Sequence, residues 1–455
     1  MIKRYQLEFL VLIFLTVLFI CIGLFFITNE YWVNALTLFM LVGMLFFTWL
    51  FSNKGMHPAF LFQLFLLLFQ GGKFIGYFVG DFHHSIWILD MISKPIKFSE
   101  KTIQITCISL SSSVFCIFAI SLIKLREIRI MTPVIRSKTF FYIYISTLPF
   151  YIFKNVFYLS YIMSHGGYIA IYTNNGEHIN SVGLPVRILS SLCFIAYIMY
   201  IMHEKNVVKL KYNIIVFMIV SVLELLIGLR GKYFVFLILN IFLYKKRKNS
   251  GFNPLKSIIP ALIIIIIASS IGSIRENRDV ETENIVSSFL NNQGVSLEVS
   301  AMAVEMYKKF HPYSLNYFIN QFNSDYSIQN KFKPGGLLQN DFTYELNPAA
   351  FNNGFGLGTT YFAELYLLYG VITVIIGSLI LGIGLSIGNN YFFGFLGSLN
   401  MIFLMSLIYL PRYGFMDPIV SLIKYSIPIL IVYNLALVID LLKNKKIVWS
   451  IQSNH

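Results

Sequence analysis

The sequence predicts an all-α polytopic membrane protein of about 12 transmembrane helices with one large external loop. Three observations carry that prediction. Hydrophobic residues make up 57% of the 455 and charged residues only 12%, with mean hydropathy +0.70; a soluble domain carries about 25% charged residues. Apolar runs long enough to cross a bilayer, about 20 residues each, recur along the whole chain. The strongly basic stretches "KLREIR", "KLK", "KKRK" and "KNKK" fall on alternate connections between them, as expected of segments held in the cytoplasm.

In chain order, spans are expected over 7–26, 32–51, 58–78, 103–122, 140–160, 182–202, 213–229, 233–244, 257–273, 358–388, 391–410 and 418–439. An internal N-terminus puts every strongly basic connection inside and leaves both termini cytoplasmic. The net charge of +14 is then loop bias, not a nucleic-acid surface. The first apolar run is long and lacks a small-residue cleavage pattern, so no cleavable signal is expected. Cys21, Cys107, Cys116 and Cys193 fall inside spans and read as small apolar side chains. The domain plan is 1–273 with nine helices, 274–357 as the external loop, and 358–455 with three more helices. Within the loop, Val295, Val299, Met302, Val304 and Met306 fit a helix lying on the membrane. "KPGG" marks a turn.

Charged residues at one depth are the informative feature. Lys73, Lys154, Arg187 and Lys424 lie within spans, each roughly 8–9 Å below the outer surface by helical rise. Arg230 and Lys232 fall at an outer turn, and Arg412 lies in the outer turn "PRYGFMD". An Arg or Lys at mid-membrane costs on the order of 3 kcal/mol by insertion scales, and less near the interface, where the long stems snorkel. Two readings stand: separate interfacial anchors, or a cationic pocket open to the outside and suited to phosphate or diphosphate. Glu224 and Glu364 lie at similar depth, as salt-bridge partners or as a general base. Arg275 and Arg278 open the large loop, as a solvated charge run or as part of the same site.

Walker, Rossmann and zinc spacings are absent, so no cofactor is expected. His83, His84 and His311 are external, and no third ligand completes a metal site. In "NPAAFNNGFGLGTTYFAELYLLYG", Gly354, Gly356 and Gly358 precede a helix start bearing Glu364 and Tyr366. Glycines allow close backbone approach, and a helix N-terminus favours an anion.

"GFGLGTTYFAELYLLYG", with Glu364 and the later Gly370, resembles the Gly-rich segment of Wzy-type O-antigen polymerases. "NNQGVSLEV" and the Arg-Gly of "GLRGKYF" are similar to the same family, as is the plan of many spans with a dominant late external loop. The resemblance implies a bacterial inner-membrane glycosyltransferase of lipopolysaccharide biosynthesis, working without a metal. It would join undecaprenyl-diphosphate-linked oligosaccharide repeat units at the outer face. Its implied partners are those lipid-linked oligosaccharides, membrane lipids and a chain-length regulator. Under it, Lys73, Lys154, Arg187, Arg230, Lys232, Arg412 and Lys424 hold diphosphate. Arg275 or Arg278 stabilises the leaving charge, and Glu364 or His311 is the base. Tyr313, Tyr317 and Tyr366 stack on sugar. An O-antigen ligase and a non-enzymatic lipid-linked oligosaccharide flippase remain the alternatives.

Overall fold

The computed structural model describes residues 4–52, 54–80, 85–89, 96–123, 131–133, 135–165, 182–227, 230–251, 285–322, 335–352, 357–444 and 449–451. These carry α1 (Arg4–Phe26), α2 (Glu30–Phe51), α3 (Pro58–Phe69), α4 (Gly72–Val79), α5 (Glu100–Ser121) and α6 (Ser137–Ser164). Next come α7 (Leu184–His203), α8 (Val207–Ile227) and α9 (Arg230–Arg247). The large loop holds α10 (Ile285–Gln293), α11 (Val295–Glu305), α12 (Tyr307–Phe310), α13 (Ser314–Asn320), α14 (Leu338–Leu346) and α15 (Pro348–Asn352). The chain then runs through α16 (Tyr361–Tyr369), α17 (Val371–Gly388), α18 (Gly394–Tyr409) and α19 (Asp417–Asn444).

Helix starts follow local chemistry. Asn29 caps α2, Ser99 caps α5 and Thr360 caps α16, each through a side-chain oxygen that accepts a backbone N–H of the first turn. Among the described residues, seven helices are long and apolar enough to cross a membrane: α2, α5, α7, α8, α17, α18 with its following turn, and α19; the bent pair α3–α4 makes an eighth. Phe19, Ile219, Ile372 and Leu442 are 77%, 66%, 66% and 79% exposed, so the outward surface is greasy, as a lipid-facing surface is.

The structure departs from the sequence reading in four places. The apolar run 58–78 is broken at Gln70–Gly71 and bends by 53°. The run 358–388 is two helices, because Gly370 adopts φ +66 between α16 and α17, a conformation open to glycine. The run 233–244 belongs to the longer α9. The helix expected to lie on the membrane, α11, is instead buried from Ser296 through Val304 and packs between α5 and α16. The expected span 257–273 lies outside the described residues.

Loop and bundle are therefore keyed together. A Cβ on Gly72 or Gly76 of α4, or on Gly80 just past its end, would meet Leu290 O at 2.6 Å, Asn291 Oδ1 or Ser287 Oγ at 2.5 Å, respectively. That small-residue stripe is where α10 lies, as in close helix crossings within membranes. Glu305 accepts from Ser99 Oγ at 2.9 Å, tying the end of α11 to the start of α5. Ser113 Oγ joins Tyr361 Oη at 2.8 Å and Ser378 Oγ at 2.6 Å, linking α5, α16 and α17.

Candidate functional site

The break between α3 and α4 is the floor of the candidate site. At Gly294 a Cβ would meet Lys73 N at 2.5 Å and Lys73 Cγ at 2.6 Å, so the turn between α10 and α11 rests directly on the break. Lys73 Nζ pairs with Glu298 of α11. Arg412 arrives from the other side, on the turn after α18. Its Nη1 donates to Gln293 Oε1 at 2.9 Å, and its guanidinium lies 5.5 Å from the Phe69 ring centroid. Tyr409 packs on Phe69 and on Tyr413, with centroids 5.4 and 4.8 Å apart.

Gln70, next to Phe69, is fully buried, and among the described residues neither its Nε2 nor its Oε1 has a hydrogen-bond partner. A buried polar group left unbonded costs about 1–3 kcal/mol, so such a group marks a place kept for a ligand or an ordered water. Gln70, Gln293 and Glu298 were not singled out from the sequence. Their signal is two Gln-Gly pairs, "FQGG" and "NNQG", whose glycines turn out to touch.

Glu364 sits one step back from this floor. Its carboxylate accepts from Gln321 Nε2 at 2.7 Å, from Phe415 N at 2.8 Å and from Thr359 Oγ1 at 3.2 Å. Met416 N donates to Gln321 Oε1 at 3.2 Å. The turn that presents Arg412 thus hangs from α16 and from the end of α13. Burial holds the Glu364 carboxyl up to about 8, against the pull of its three donors.

The remaining expected residues divide. The His311 ring nitrogen Nδ1 donates to Leu367 O at 2.7 Å, near the end of α16, and the ring stacks on Tyr307. That fixes Nε2 as the acceptor nitrogen of a neutral ring. Tyr366 is buried against Tyr307 and Phe362. Tyr313 is half-open and packs over Gly335, in the "KPGG" turn. Tyr317, expected on a sugar-facing surface, is 1% exposed and donates to Asp341 Oδ2 at 2.6 Å, so its ring belongs to the core of the loop.

The cations do not form one set. Lys154 of α6, Arg187 of α7 and Glu224 of α8 make a second group, with Lys154 Nζ 5.4 Å from the Tyr151 ring and 5.8 Å from that of Tyr158. Lys424 is exposed on α19. Arg230 opens α9, but its side chain and that of Lys232 lie outside the described residues, as do Arg275, Arg278, Gly354 and Gly356. Among the described residues no three His, Cys, Asp or Glu side chains are grouped to hold a metal ion.

The sequence profile of the family described as O-antigen polysaccharide polymerase Wzy matches residues 7–446. The chain belongs to this family. No curated protein matches it, and no solved structure does. As a Wzy polymerase it is a polytopic membrane enzyme that makes O-antigen polysaccharide. The matched range takes in α3–α4, the loop helices and the turn bearing Arg412, so every element of the floor falls inside it.

Proposed function

We propose that this Wzy polymerase joins undecaprenyl-diphosphate-linked repeat units at the end of the bundle carrying the loop, and that this end faces outward, with both termini cytoplasmic. The observation that carries the reading is the meeting of Arg412, Gln293 and the α3–α4 break beside the unbonded Gln70.

The chemistry asked of the site is limited. The glycosidic C1–O bond to the donor's diphosphate breaks, and the diphosphate leaves with the electron pair. A hydroxyl of the acceptor sugar forms the new C1–O bond and gives up its proton. The leaving group is already stable, so compensating its growing charge is the main task. Arg412 has that role: one of its five N–H groups is held by Gln293, and a guanidinium binds diphosphate oxygens bidentately. Lys73, already paired with Glu298, keeps α11 docked and adds positive charge nearby. Arg275 and Arg278 remain candidates for a second clamp on the departing charge.

His311 is the better candidate base. Among the described residues its Nε2 accepts no hydrogen bond, whereas the Glu364 oxygens are taken by three donors. Glu364 then positions the Arg412 turn. Tyr313, at the loop surface, is the candidate for sugar stacking. A chain-length regulator would meet the protein at this same end.

The test is direct. Purified protein is incubated with synthetic diphosphate-lipid repeat units, and products are sized. A ladder of longer chains on the lipid carrier supports polymerisation. Transfer only to a lipid A core acceptor would make it a ligase, and transbilayer movement without elongation would make it a flippase.

A further inference from the structure

The seam between α6 and α7 carries polar groups that the Arg412 site does not use. Among the described residues, two buried atoms there have no hydrogen-bond partner: Arg187 Nε and Ser190 Oγ. Tyr151, Asn155 and Ser190 are 2%, 2% and 1% exposed. Helical spacing puts Tyr151 and Asn155 on one face of α6, and Arg187 and Ser190 on one face of α7.

The helices run antiparallel, with ring centroids 5.4 Å apart for Phe141 and Tyr200 and 5.5 Å apart for Tyr144 and Tyr197. Continued along the seam, that register sets Tyr151 against Ser190 and Lys154 against Arg187. Arg187 also acts electrostatically on Tyr158, about one turn past Lys154. Glu224 acts on Lys154 and on Tyr151, and the Tyr151 hydroxyl lies between Glu224 and Asn155. The first turn of α7 lies here too, with no side-chain cap from Gly183, so the positive end of its dipole adds to the group.

The unmet chemistry is one-sided. Arg187 Nε can only donate, and the Ser190 hydroxyl can donate. Among the described residues, two cations against one carboxylate leave the group positive. A ligand that answers it is anionic and rich in acceptor oxygens. We propose that the α6–α7 seam is a second anion site, taking a phosphate or diphosphate group. It is separate from the first: α6 packs against α7, α8 and α19, while α4 packs against α2, α3 and α10. A polymerase must hold two diphosphate-linked substrates at once, and the seam supplies the second place. Only that assignment of substrate rests on the proposed function; the binding does not.

The experiment uses the full chain in phosphatidylcholine nanodiscs. It is titrated with inorganic pyrophosphate and, separately, with farnesyl diphosphate. Two binding events are expected in the wild type for at least one probe. Arg187→Ala and Asn155→Leu weaken one event tenfold or more and spare the other; Arg412→Ala does the converse. Ser190→Ala, the mildest change, moves the same event in the same direction, which separates a lost site from a misfolded chain. Pyrophosphate binding at the seam marks a site for the charged group alone, whereas binding only of farnesyl diphosphate marks one that needs the lipid. If the wild type binds neither probe, or if Arg187→Ala and Asn155→Leu keep both events, there is no seam site. Elongation by the same nanodiscs is scored in parallel. A ladder without seam binding removes only the seam, and seam binding without a ladder removes only the polymerase reading.

Discussion

Arg412 and Gln293 meet at 2.9 Å although 119 residues separate them, and that contact joins the last interhelical turn of the bundle to the large loop. The residue after Gln293 is Gly294, whose backbone lies against Lys73. One small turn therefore sets the spacing of the two cations at the floor of the site.

The glycine contact is the most exposed to substitution. Gly294→Val would drive a side chain into Lys73 N, a backbone atom that cannot step aside. Overpacking of this kind costs about 1–3 kcal/mol. We expect a lower thermal midpoint and shorter polysaccharide at matched abundance. Gly72→Ala, which meets Leu290 O, should act on the same contact. The double variant should then lose less than the two single losses combined.

Lys73 and Glu298 give a charge-pair test. Lys73→Ala leaves a nearly buried carboxylate without its cation, which costs about 3–5 kcal/mol. Replacing both, as Lys73→Met with Glu298→Leu, should restore most of the stability. We expect this double variant to keep measurable elongation. Restored stability with no product at all would instead move Lys73 into direct contact with diphosphate.

Much of this architecture is legible in the sequence, and what is missed has physical causes. Apolar runs report which segments enter lipid, so most long helices fall where expected. They do not report a break inside a run, because Gln70–Gly71 and Gly370 interrupt the backbone without interrupting hydropathy. Amphipathic spacing in "VSLEVSAMAVE" cannot tell lipid from protein as the apolar neighbour, so α11 is buried where a surface helix was expected. Depth follows from counting residues, but azimuth does not. Lys73 and Arg412 share a floor, while Lys154 and Arg187 face a different seam, because helix packing rather than depth decides what they meet. Gln70 and Gln293 carry no charge and give only the weak signal of a polar residue before glycine.

Glu364 predicts a pH dependence of stability. Its carboxyl is held near 8 in the folded chain against an ordinary value of 4.5. The native state thus binds that proton more tightly. Between those two values the unfolded state loses its proton first, and stability falls as pH rises. Glu364→Gln keeps the shape and hydrogen-bonding pattern of the protonated carboxyl, so at pH 5 to 7 it should leave the thermal midpoint close to that of wild type. It should also flatten the decline between pH 5 and 8. An unchanged slope in the variant would show that another group carries it.

His311 is tested by rate. His311→Gln can still reach Leu367 O through its amide, but it has no basic nitrogen. Loss of a general base lowers kcat by about 10²–10⁴-fold. We expect a fall in that range with little change in KM. A full-rate variant would move the proton transfer elsewhere, Glu364 being the next candidate.

The central claim is that Arg412 grips the departing diphosphate at the α3–α4 break. Single-turnover elongation of a synthetic diphosphate-linked repeat unit by purified wild type, Arg412→Lys and Arg412→Ala measures this most directly. Loss of one such electrostatic donor slows the chemical step by about 10²–10³-fold. The alanine variant should fall in that range and the lysine variant between it and wild type. Elongation by folded Arg412→Ala at the wild-type rate would contradict the account.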